Sequence, residues 1–317
     1  MNVLIAGGAG FLGSNLSAAL LAAGYEVCVV DNLLTGNTAN MTDFKKNKNF
    51  TFFELGVETS EFVDVFLNND NFVFDQVYAL ACPTGVPNIQ ILGEEMMDAC
   101  SIGTKNILNV ARKHDAQFLL TSTSEVYGDP EVFPQSESYH GNVDPQGPRA
   151  NYEEAKRFAE TLTALYAAKY GVDVKTVRLF NVYGPYMSLK DQRVMPRFIQ
   201  QALRGEALRV HDTNAFRTMC YVEDIVVGLR LVMERGEKGG IYNIGSDREI
   251  RMQDLAEKII AITKSTSGID FVPGPAHDHK RRMPDLSRIR NLGWTYRKTL
   301  DEGIRLTVAD FKNRMPR

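Results

Sequence analysis

The chain of 317 residues has a formal net charge of −3, with 44% hydrophobic and 24% charged residues, which is enough apolar material for a sizeable core. Its like charges form no run of five or more, which argues against nucleic acid and anionic membrane surfaces as the main partners. No stretch reaches the roughly 18 uninterrupted apolar residues that a membrane helix needs. The chain also enters its first predicted strand too early to leave room for a signal peptide.

The four cysteines, Cys28, Cys82, Cys100 and Cys220, lie far apart in the sequence. They form no Cys-x-x-Cys pair and no Cys/His group at metal-ligand spacing. We therefore expect free thiols and no metal site. Free thiols are typical of a reducing compartment, so we expect a cytoplasmic location.

The first 180 residues alternate short apolar segments with segments of helical pattern. The predicted strands are 3–6, 26–30, 50–55, 76–81, 117–121 and 173–179, and the predicted helices are 12–23, 61–67, 94–114 and 149–170. Strands separated by helices in this way predict an α/β fold with a Rossmann-type, doubly wound parallel sheet.

The last third of the chain is less regular. We expect residues 1–180 to form the Rossmann domain, to which residues 210–246 return. Residues 181–209 and 247–317 are expected to form a smaller, discontinuous C-terminal substrate lobe over the carboxyl edge of the sheet. Ligands bind at that edge in such folds.

Glycines recur at positions 7, 10 and 13 in the turn between the first strand and the first helix. Gly7 permits the tight turn, Gly10 allows a pyrophosphate to approach the backbone, and Gly13 allows close packing of helix and strand. Asp31 ends the second strand, where a carboxylate binds a ribose 2′-hydroxyl and repels a 2′-phosphate. Because no Arg or Lys follows before Lys45, the pattern favours NAD over NADP.

Tyr152 and Lys156 are four residues apart on a predicted helix and so share one face. The ammonium of Lys156 lowers the pKa of the Tyr152 phenol by its charge, and we expect some phenolate near neutral pH. Thr123, at the end of a strand, is expected to donate to or accept from the same substrate hydroxyl. Tyr-x-x-x-Lys also occurs on ordinary helix surfaces, but its combination with the glycine turn and Asp31 favours an acid/base site.

The glycine turn, Asp31, the strand end at Thr123 and the pair Tyr152 and Lys156 follow one another along the chain as they do in the extended short-chain dehydrogenase/reductases, which this sequence resembles. Within that superfamily, four stretches resemble the UDP-glucuronate decarboxylases: 81–83, 121–130 with 147–150, 180–185, and Arg282 with Pro284 and Asp285. The resemblance implies that Tyr152 takes the C4 hydroxyl proton of a UDP-sugar while NAD⁺ takes the C4 hydride. The resulting 4-keto glucuronate would lose carbon dioxide, and return of the hydride would give UDP-xylose.

The resemblance also implies the roles of individual residues. Glu125 would lie near the sugar C5, Arg282 would meet the carboxylate, and Asn181 and Arg217 would contact the sugar and diphosphate. The remaining implied substrate contacts are Pro83, Arg149 and Tyr186. The implied NAD contacts, besides Gly7, Gly10, Gly13, Asp31, Tyr152 and Lys156, are Phe11, Leu12, Asn32, Thr35, Gly36, Val57, Leu80, Ala81 and Thr121.

Plainer interpretations stand beside these roles. Glu125 could be a solvated turn carboxylate, Arg282 part of a hydrated basic surface, and Arg217 a structural residue. Ser124 stands where sugar 4,6-dehydratases carry an aspartate, which disfavours a dehydratase.

Several positions differ from the pattern of the decarboxylases: Gly56, Ile89, Glu95, Cys100, Tyr186 and the loop 211–216. They leave open a 4-epimerase, a C5 epimerase or a 4-dehydrogenase acting on another nucleotide sugar, and lastly a non-catalytic dinucleotide sensor.

The resemblance further implies a homodimer in which helices 94–114 and 149–170 pair as a four-helix bundle. The apolar residues of these helices could equally belong to the core. They are Ile102, Ile107, Val110, Phe158, Leu162 and Leu165.

Overall fold

The computed structural model describes residues 1–211, 215–273 and 282–315. A seven-stranded parallel sheet forms the centre of the molecule. Its strands are β1 (Asn2–Ala6), β2 (Glu26–Val30), β3 (Phe50–Phe53), β4 (Gln76–Ala79), β5 (Gln117–Thr123), β6 (Val174–Leu179) and β11 (Gly240–Ile244). They lie in the order β11-β6-β5-β4-β1-β2-β3, and all are parallel. The strand order reverses between β1 and β4, since the chain adds β2 and β3 on one side of β1 and the later strands on the other. The predicted Rossmann-type fold is confirmed.

Helices cover both faces of the sheet. They are α1 (Phe11–Ala22), α2 (Ser60–Phe66), α3 (Val86–Ile91), α4 (Gly93–Asp98), α5 (Thr104–His114), α6 (Ala150–Tyr170), α7 (Val194–Arg204), α8 (Val222–Arg235), α9 (Met252–Thr263), α10 (Ser287–Asn291) and α11 (Leu300–Arg314). Along β1, Val3 and Ile5 point into the core beneath α1 and α8, whereas Leu4 and Ala6 point into the core beneath α5 and α6. This alternation explains why the strand reads as continuously apolar.

Three pairs of short strands lie outside the central sheet. β7 (Val182–Tyr183) pairs with β10 (Cys220–Tyr221), β8 (Leu208–His211) with β13 (Ile269–Val272), and β9 (Phe216–Thr218) with β12 (Glu249–Arg251). These strands were not predicted from the sequence. They are two to four residues long, so their pattern is too short to be distinguished from a loop, and their partners lie far away in the chain.

The predicted helix 94–114 is interrupted. Between α4 and α5, residues Ala99–Gly103 form a π-helical turn, which the uninterrupted apolar pattern did not reveal. β5 continues two residues past its predicted end, to Thr123. Other element ends differ from the predictions by one or two residues, which is the usual uncertainty of such boundaries. None of the helices in the described ranges has the length and apolarity needed to cross a membrane.

Candidate active site

The turn formed by residues 7–13, here called the cofactor turn, is built from close backbone contacts. Gly7 has a φ of +85°, and a Cβ there would lie 2.7 Å from the Ala81 nitrogen. A Cβ on Gly13 would lie 2.2 Å from the Gly7 oxygen, so the helix can pack this closely only with glycine. A Cβ on Gly10 would meet only the Gly7 oxygen, at 3.4 Å, so this side of the turn is open.

The N-terminus of α1 follows the cofactor turn directly. Among the residues that the structure describes, no side chain caps this helix and no acidic residue stands in its first turn. Its first N–H groups and the positive end of its dipole are therefore available to an anion. With the open side of Gly10, this arrangement fits the pyrophosphate of a dinucleotide. Phe11 and Leu12 lie at this helix start, partly buried.

Asp31 lies beside the cofactor turn at the end of β2. Its carboxylate accepts hydrogen bonds from the backbone N–H of Ala9 at 3.0 Å and of Leu33 at 2.9 Å. Burial raises the pKa of Asp31, while hydrogen bonds from Leu33, Ala9 and Gly10 act in the opposite direction. Gly36 packs so closely that a Cβ there would lie 2.6 Å from Oδ1. The carboxylate is thus held in a fixed orientation.

The other predicted cofactor residues lie around this centre. Leu80 donates its N–H to the Ala6 oxygen at 2.9 Å, and Thr121 bonds the Ala79 oxygen at 3.1 Å, so both lie at the carboxyl edge of the sheet. Asn32 and Thr35 are exposed beyond Asp31, and Ala81 and Val57 flank the edge, Val57 buried against Gly103. Asn40, which was not predicted from the sequence, is a buried residue whose side chain donates to the Ala9 oxygen at 2.9 Å and so fixes the cofactor turn. No local pattern marks this residue.

The helix α6 brings Tyr152 and Lys156 to the ends of β5 and β6. Lys156 is buried, and its ammonium donates to the Thr121 oxygen at 2.9 Å. One turn further, Glu160 accepts from Ser122 at 2.5 Å and from Arg178 on β6 at 2.7 Å. These contacts fix the helix against the sheet.

The phenol of Tyr152 bonds the side chain of Thr123. Burial raises the pKa of Tyr152 to about 12, and the nearby Lys156 lowers it by less than burial raises it. The prediction of some phenolate near neutral pH is therefore wrong for the protein itself, because burial has the larger effect. Tyr152 is a protonated phenol with a cation beside it.

Arg193 is a further residue at this site that the sequence analysis missed. Its guanidinium binds the Asp191 carboxylate at 2.9 Å and lies near enough to Tyr152 for the two charges to interact. It precedes α7 in a stretch with no recognisable motif. A second cation thus accompanies Lys156 near the phenol.

Glu125 lies between two arginines, and we call Glu125, Arg149 and Arg282 the arginine cluster. Arg149 contacts Glu125 at 2.7 Å, and Arg282 binds the same carboxylate with both terminal nitrogens, one of them at 3.0 Å. The side chains of Glu125 and Arg282 are only 13% and 8% exposed. Neither a solvated turn carboxylate nor a hydrated basic surface describes these residues.

Within the arginine cluster, Arg282 binds the carboxylate of Glu125. A guanidinium that is buried to this extent needs a negative partner. The expected contact of Arg282 with a substrate carboxylate stays a prediction. Glu153, one turn along α6 from Arg149, is also buried, and burial raises its pKa.

Arg282 reaches Glu125 because its neighbours are bound to the segment after β5. The side chain of Gln135 accepts from the Met283 nitrogen at 2.9 Å, and its backbone oxygen accepts from the Asp285 nitrogen at 2.9 Å. Asn243 on β11 donates to the oxygens of Gln135 and Asp285. Asn243, at the end of β11, therefore holds together the two chain segments that carry Glu125 and Arg282.

The remaining predicted substrate residues are more dispersed. Asn181 accepts from the Cys220 nitrogen at 3.0 Å and follows β6, while Arg217 lies on β9 and contacts the Phe216 oxygen at 2.9 Å. The described contacts of Tyr186 are with Asp43 at 2.7 Å and Asp310 at 3.2 Å, and they do not include the catalytic residues. Pro83 is buried just after Cys82, at the edge that also carries the cofactor residues.

The NAD dependent epimerase/dehydratase family matches residues 3–245 of the chain. The chain belongs to this family. UDP-glucuronic acid decarboxylase 6 of Arabidopsis thaliana is 41% identical over 318 residues, covering 99% of this chain and 90% of the relative. UDP-glucuronic acid decarboxylase 1 of Danio rerio is 39% identical and covers 99% of this chain and 73% of the relative.

Two solved structures are similar to this chain along nearly its whole length. UDP-glucose 4-epimerase of Thermotoga maritima, solved with UDP-glucose, has a TM-score of 0.89 at 29% identity, and 99% of each chain is covered. UDP-glucose 4-epimerase of Thermus thermophilus, solved with NAD, has a TM-score of 0.86 at 26% identity, covering 99% of this chain and 100% of that one. Membership in the family confirms the expected enzyme class and the NAD cofactor, which the cofactor turn and Asp31 fit.

Proposed function

We propose that this protein decarboxylates UDP-glucuronate to UDP-xylose through a 4-keto sugar. The observation that carries the proposal is the buried arginine cluster beside Tyr152 and Thr123. A substrate carboxylate needs a cationic partner, and the planar guanidinium of Arg282 binds carboxylates with two parallel bonds. Decarboxylases at about 40% identity along nearly the whole chain support the proposal.

We assign the acid/base role to Tyr152. In its phenolate form, held by Thr123, it would accept the proton of the substrate C4 hydroxyl and become a phenol, and the charges of Lys156 and Arg193 would stabilise the phenolate before that transfer. NAD⁺, held by Gly7, Gly10, Gly13 and Asp31, supplies the hydride acceptor at C4.

The arginine cluster would bind the sugar acid. The substrate carboxylate can take the place of Glu125 on Arg282, because Arg149 remains as a partner for Glu125. A ketone at C4 makes the C5 carboxylate a β-keto acid, whose carbon–carbon bond breaks to release carbon dioxide. Glu125 would then lie near C5, which must take up a proton.

The product mass tests this function. We expect purified protein incubated with NAD⁺ and UDP-glucuronate to give a nucleotide sugar lighter by one carbon dioxide. Tyr152→Phe should lower the rate by about 10³, in the range of lost acid/base catalysis. The matched control is Tyr170→Phe, at an exposed tyrosine on the same helix, which should retain the rate.

Two outcomes would contradict the decarboxylase proposal. A new stereoisomer of unchanged mass from UDP-glucuronate, or from UDP-glucose, would indicate an epimerase, the activity named for the similar structures. A 4-keto product without loss of carbon dioxide would indicate a 4-dehydrogenase. In both cases the roles of Tyr152, Lys156 and Thr123 would stand, and those of the arginine cluster would not.

We propose that two copies of the chain pair through α6 and the segment from α4 to α5. Ile102, Phe158 and Leu165 are 49%, 52% and 51% exposed on these neighbouring elements, whereas Ile107 and Val110 are buried in the core. Phe158 and Leu165 are seven residues apart and so lie on one face of α6. The family resemblance supports a second copy as the partner.

Light scattering with size-exclusion chromatography tests the pairing. Wild-type protein at micromolar concentration should have twice the mass of the chain, and Phe158→Glu with Leu165→Glu should have the mass of one chain. Leu306→Glu, at an exposed position of α11, is the control and should leave the mass unchanged. A monomeric wild type would refute the pairing.

We also propose a cytoplasmic location. The four cysteines are free thiols in the structure, including two whose sulfurs lie close together. Free thiols are maintained in a reducing compartment. Fractionation of cells that produce the protein, followed by immunoblotting, would locate it.

A further inference from the structure

Two cysteines meet behind the catalytic residues. Cys82 follows β4 between Ala81 and Pro83 and is partly exposed, and Cys100 is buried in the π-helical turn. Their sulfurs are 3.5 Å apart. The other two cysteines, Cys28 on β2 and Cys220 on β10, are buried at separate places. The close pair therefore has a geometry that the sequence spacing did not reveal.

The charge of Lys156 acts on both thiols of this pair. The hydrogen bond that the thiols share lowers the pKa of Cys100 against the effect of burial, with a further contribution from Lys156, and it raises the pKa of Cys82. A thiolate is the reactive form of cysteine. Cys82 also lies close enough to Tyr152 for their charges to interact. The pair is therefore chemically activated and adjoins the acid/base residues.

We propose that Cys82 and Cys100 are a modification site, where a peroxide forms a reversible disulfide that inactivates the enzyme. A thiolate of the pair attacks one peroxide oxygen, the O–O bond breaks, and a sulfenic acid and water form. The second thiol attacks this sulfur, the S–O bond breaks, and a second water leaves as the S–S bond forms. In sum, two thiols are oxidised to one disulfide and one peroxide is reduced to two waters.

The disulfide would change the site in two ways. The sulfurs must approach from 3.5 Å to about 2.05 Å, which pulls the segment after β4 and the π-helical turn together. That segment carries the proposed NAD and substrate contacts Ala81 and Pro83. Bond formation also removes the thiolate charge that faces Lys156. Because misplacement by about 1 Å can cost about 10² in rate, we expect a loss of at least about tenfold.

Mass spectrometry tests the disulfide without any assay of activity. Reduced protein is treated with hydrogen peroxide, alkylated with iodoacetamide and cleaved with a protease that cuts after Glu94 and Glu95, between the two cysteines. We expect linked fragments containing Cys82 and Cys100, and a fall of two hydrogens in the mass of the intact protein. Separate alkylated fragments, or oxidation of either sulfur to sulfinic acid without linkage, would overturn the proposal.

The effect on catalysis rests on the proposed function and is measured separately. For each variant, the rate after peroxide is divided by the rate of the reduced sample, so a change in basal activity does not matter. The ratio should fall at least tenfold for wild type and for the control Cys220→Ser, and dithiothreitol should restore it. For Cys82→Ser and Cys100→Ser it should stay near one.

The two proposals fail in different ways. If reduced protein does not convert UDP-glucuronate, the decarboxylase function fails while linked fragments still establish the modification site; NAD⁺ affinity before and after peroxide then reports its effect on the site. If the disulfide forms and neither rate nor NAD⁺ affinity changes, the inactivation is refuted. A wild-type loss that Cys82→Ser and Cys100→Ser share would also refute it.

Discussion

The cofactor turn and the arginine cluster are built by different means. The cofactor turn uses backbone atoms and glycines within a few residues, and its neighbour Asp31 is oriented by backbone N–H groups. The arginine cluster uses charged side chains from three segments, with Glu125 and Arg282 separated by 157 positions. A backbone site has one shape and suits a cofactor that stays bound. Side-chain ion pairs can exchange partners, which suits a substrate that must enter and leave.

The largest expected effect concerns Lys156, which lies between these two regions. Lys156→Met should lower kcat at pH 7.5 by about 10³, because loss of the cation raises the pKa of Tyr152 further above its value of about 12. The active form is the phenolate, so the wild-type rate should rise with pH between 7 and 10. Because the pKa of Tyr152 lies above this range in both proteins, the rate of Lys156→Met should rise with the same slope and stay lower by a constant factor.

A series of kcat measurements from pH 6.5 to pH 10 checks this prediction. Lys169→Met, near the end of the same helix, is the control and should follow the wild-type profile. A variant profile that coincides with the wild type, or that does not rise with pH, would show that Lys156 does not tune the phenol.

The next largest effect should follow loss of Arg282. Arg282→Met removes the proposed partner of the substrate carboxylate and leaves Glu125 paired with Arg149. We expect kcat/KM for UDP-glucuronate to fall about 10², the cost of a charge-assisted bidentate contact, with unchanged affinity for NAD⁺. A loss in kcat/KM for the substrate without a loss in affinity for NAD⁺ would show that the arginine cluster and the cofactor turn act separately.

Steady-state kinetics and calorimetric titration with NAD⁺ measure these two quantities. Arg288→Met is a suitable control, because Arg288 is half-exposed and contacts Glu137 at 3.9 Å, outside the cluster. Equal losses of kcat/KM in both variants would mean that the cluster has no special part in binding the sugar acid.

The smallest effect is expected at Asp31. Asp31→Asn keeps an oxygen at the site but removes the negative charge, so we expect about tenfold weaker binding of NAD⁺ and weaker discrimination against NADP⁺. Because the backbone cradle is unchanged, kcat at saturating NAD⁺ should stay close to wild type. Titrations with both dinucleotides check this, with Asp115→Asn at an exposed position as the control. Unaltered preference for NAD⁺ would place the discrimination elsewhere.

The sequence predicts the cofactor turn and Asp31 well because the residues that form this site are close together in the chain. Gly7, Gly10 and Gly13 occupy fixed positions in a strand–turn–helix unit, and Asp31 ends the next strand. The pairing of Glu125 with Arg282 was not predicted, although both residues were named, because a sequence gives no distance between segments that meet only in the fold. The contact between Cys82 and Cys100 was missed for the same reason, whereas the π-helical turn was missed because the apolar pattern runs through it without a break.

The acidity of Tyr152 shows another limit of sequence analysis. The spacing to Lys156 predicts the direction in which the ammonium shifts the pKa, and the structure agrees on that direction. The cost of burial depends on what surrounds the phenol from all sides, including Arg193 and Thr123. That surrounding is a property of the folded molecule.

The position of β11 determines how much of the chain must be synthesised before the sheet is complete. β11 covers the free edge of β6 along its whole length, from Gly240 beside Lys175 to Ile244 beside Leu179. During synthesis on a ribosome, one edge of β6 therefore has unpaired backbone N–H and C=O groups until residue 244 has emerged. Such an edge is a template for pairing with other chains. A chain that stops before Gly240 should therefore aggregate, even though it contains the cofactor turn and the catalytic helix complete.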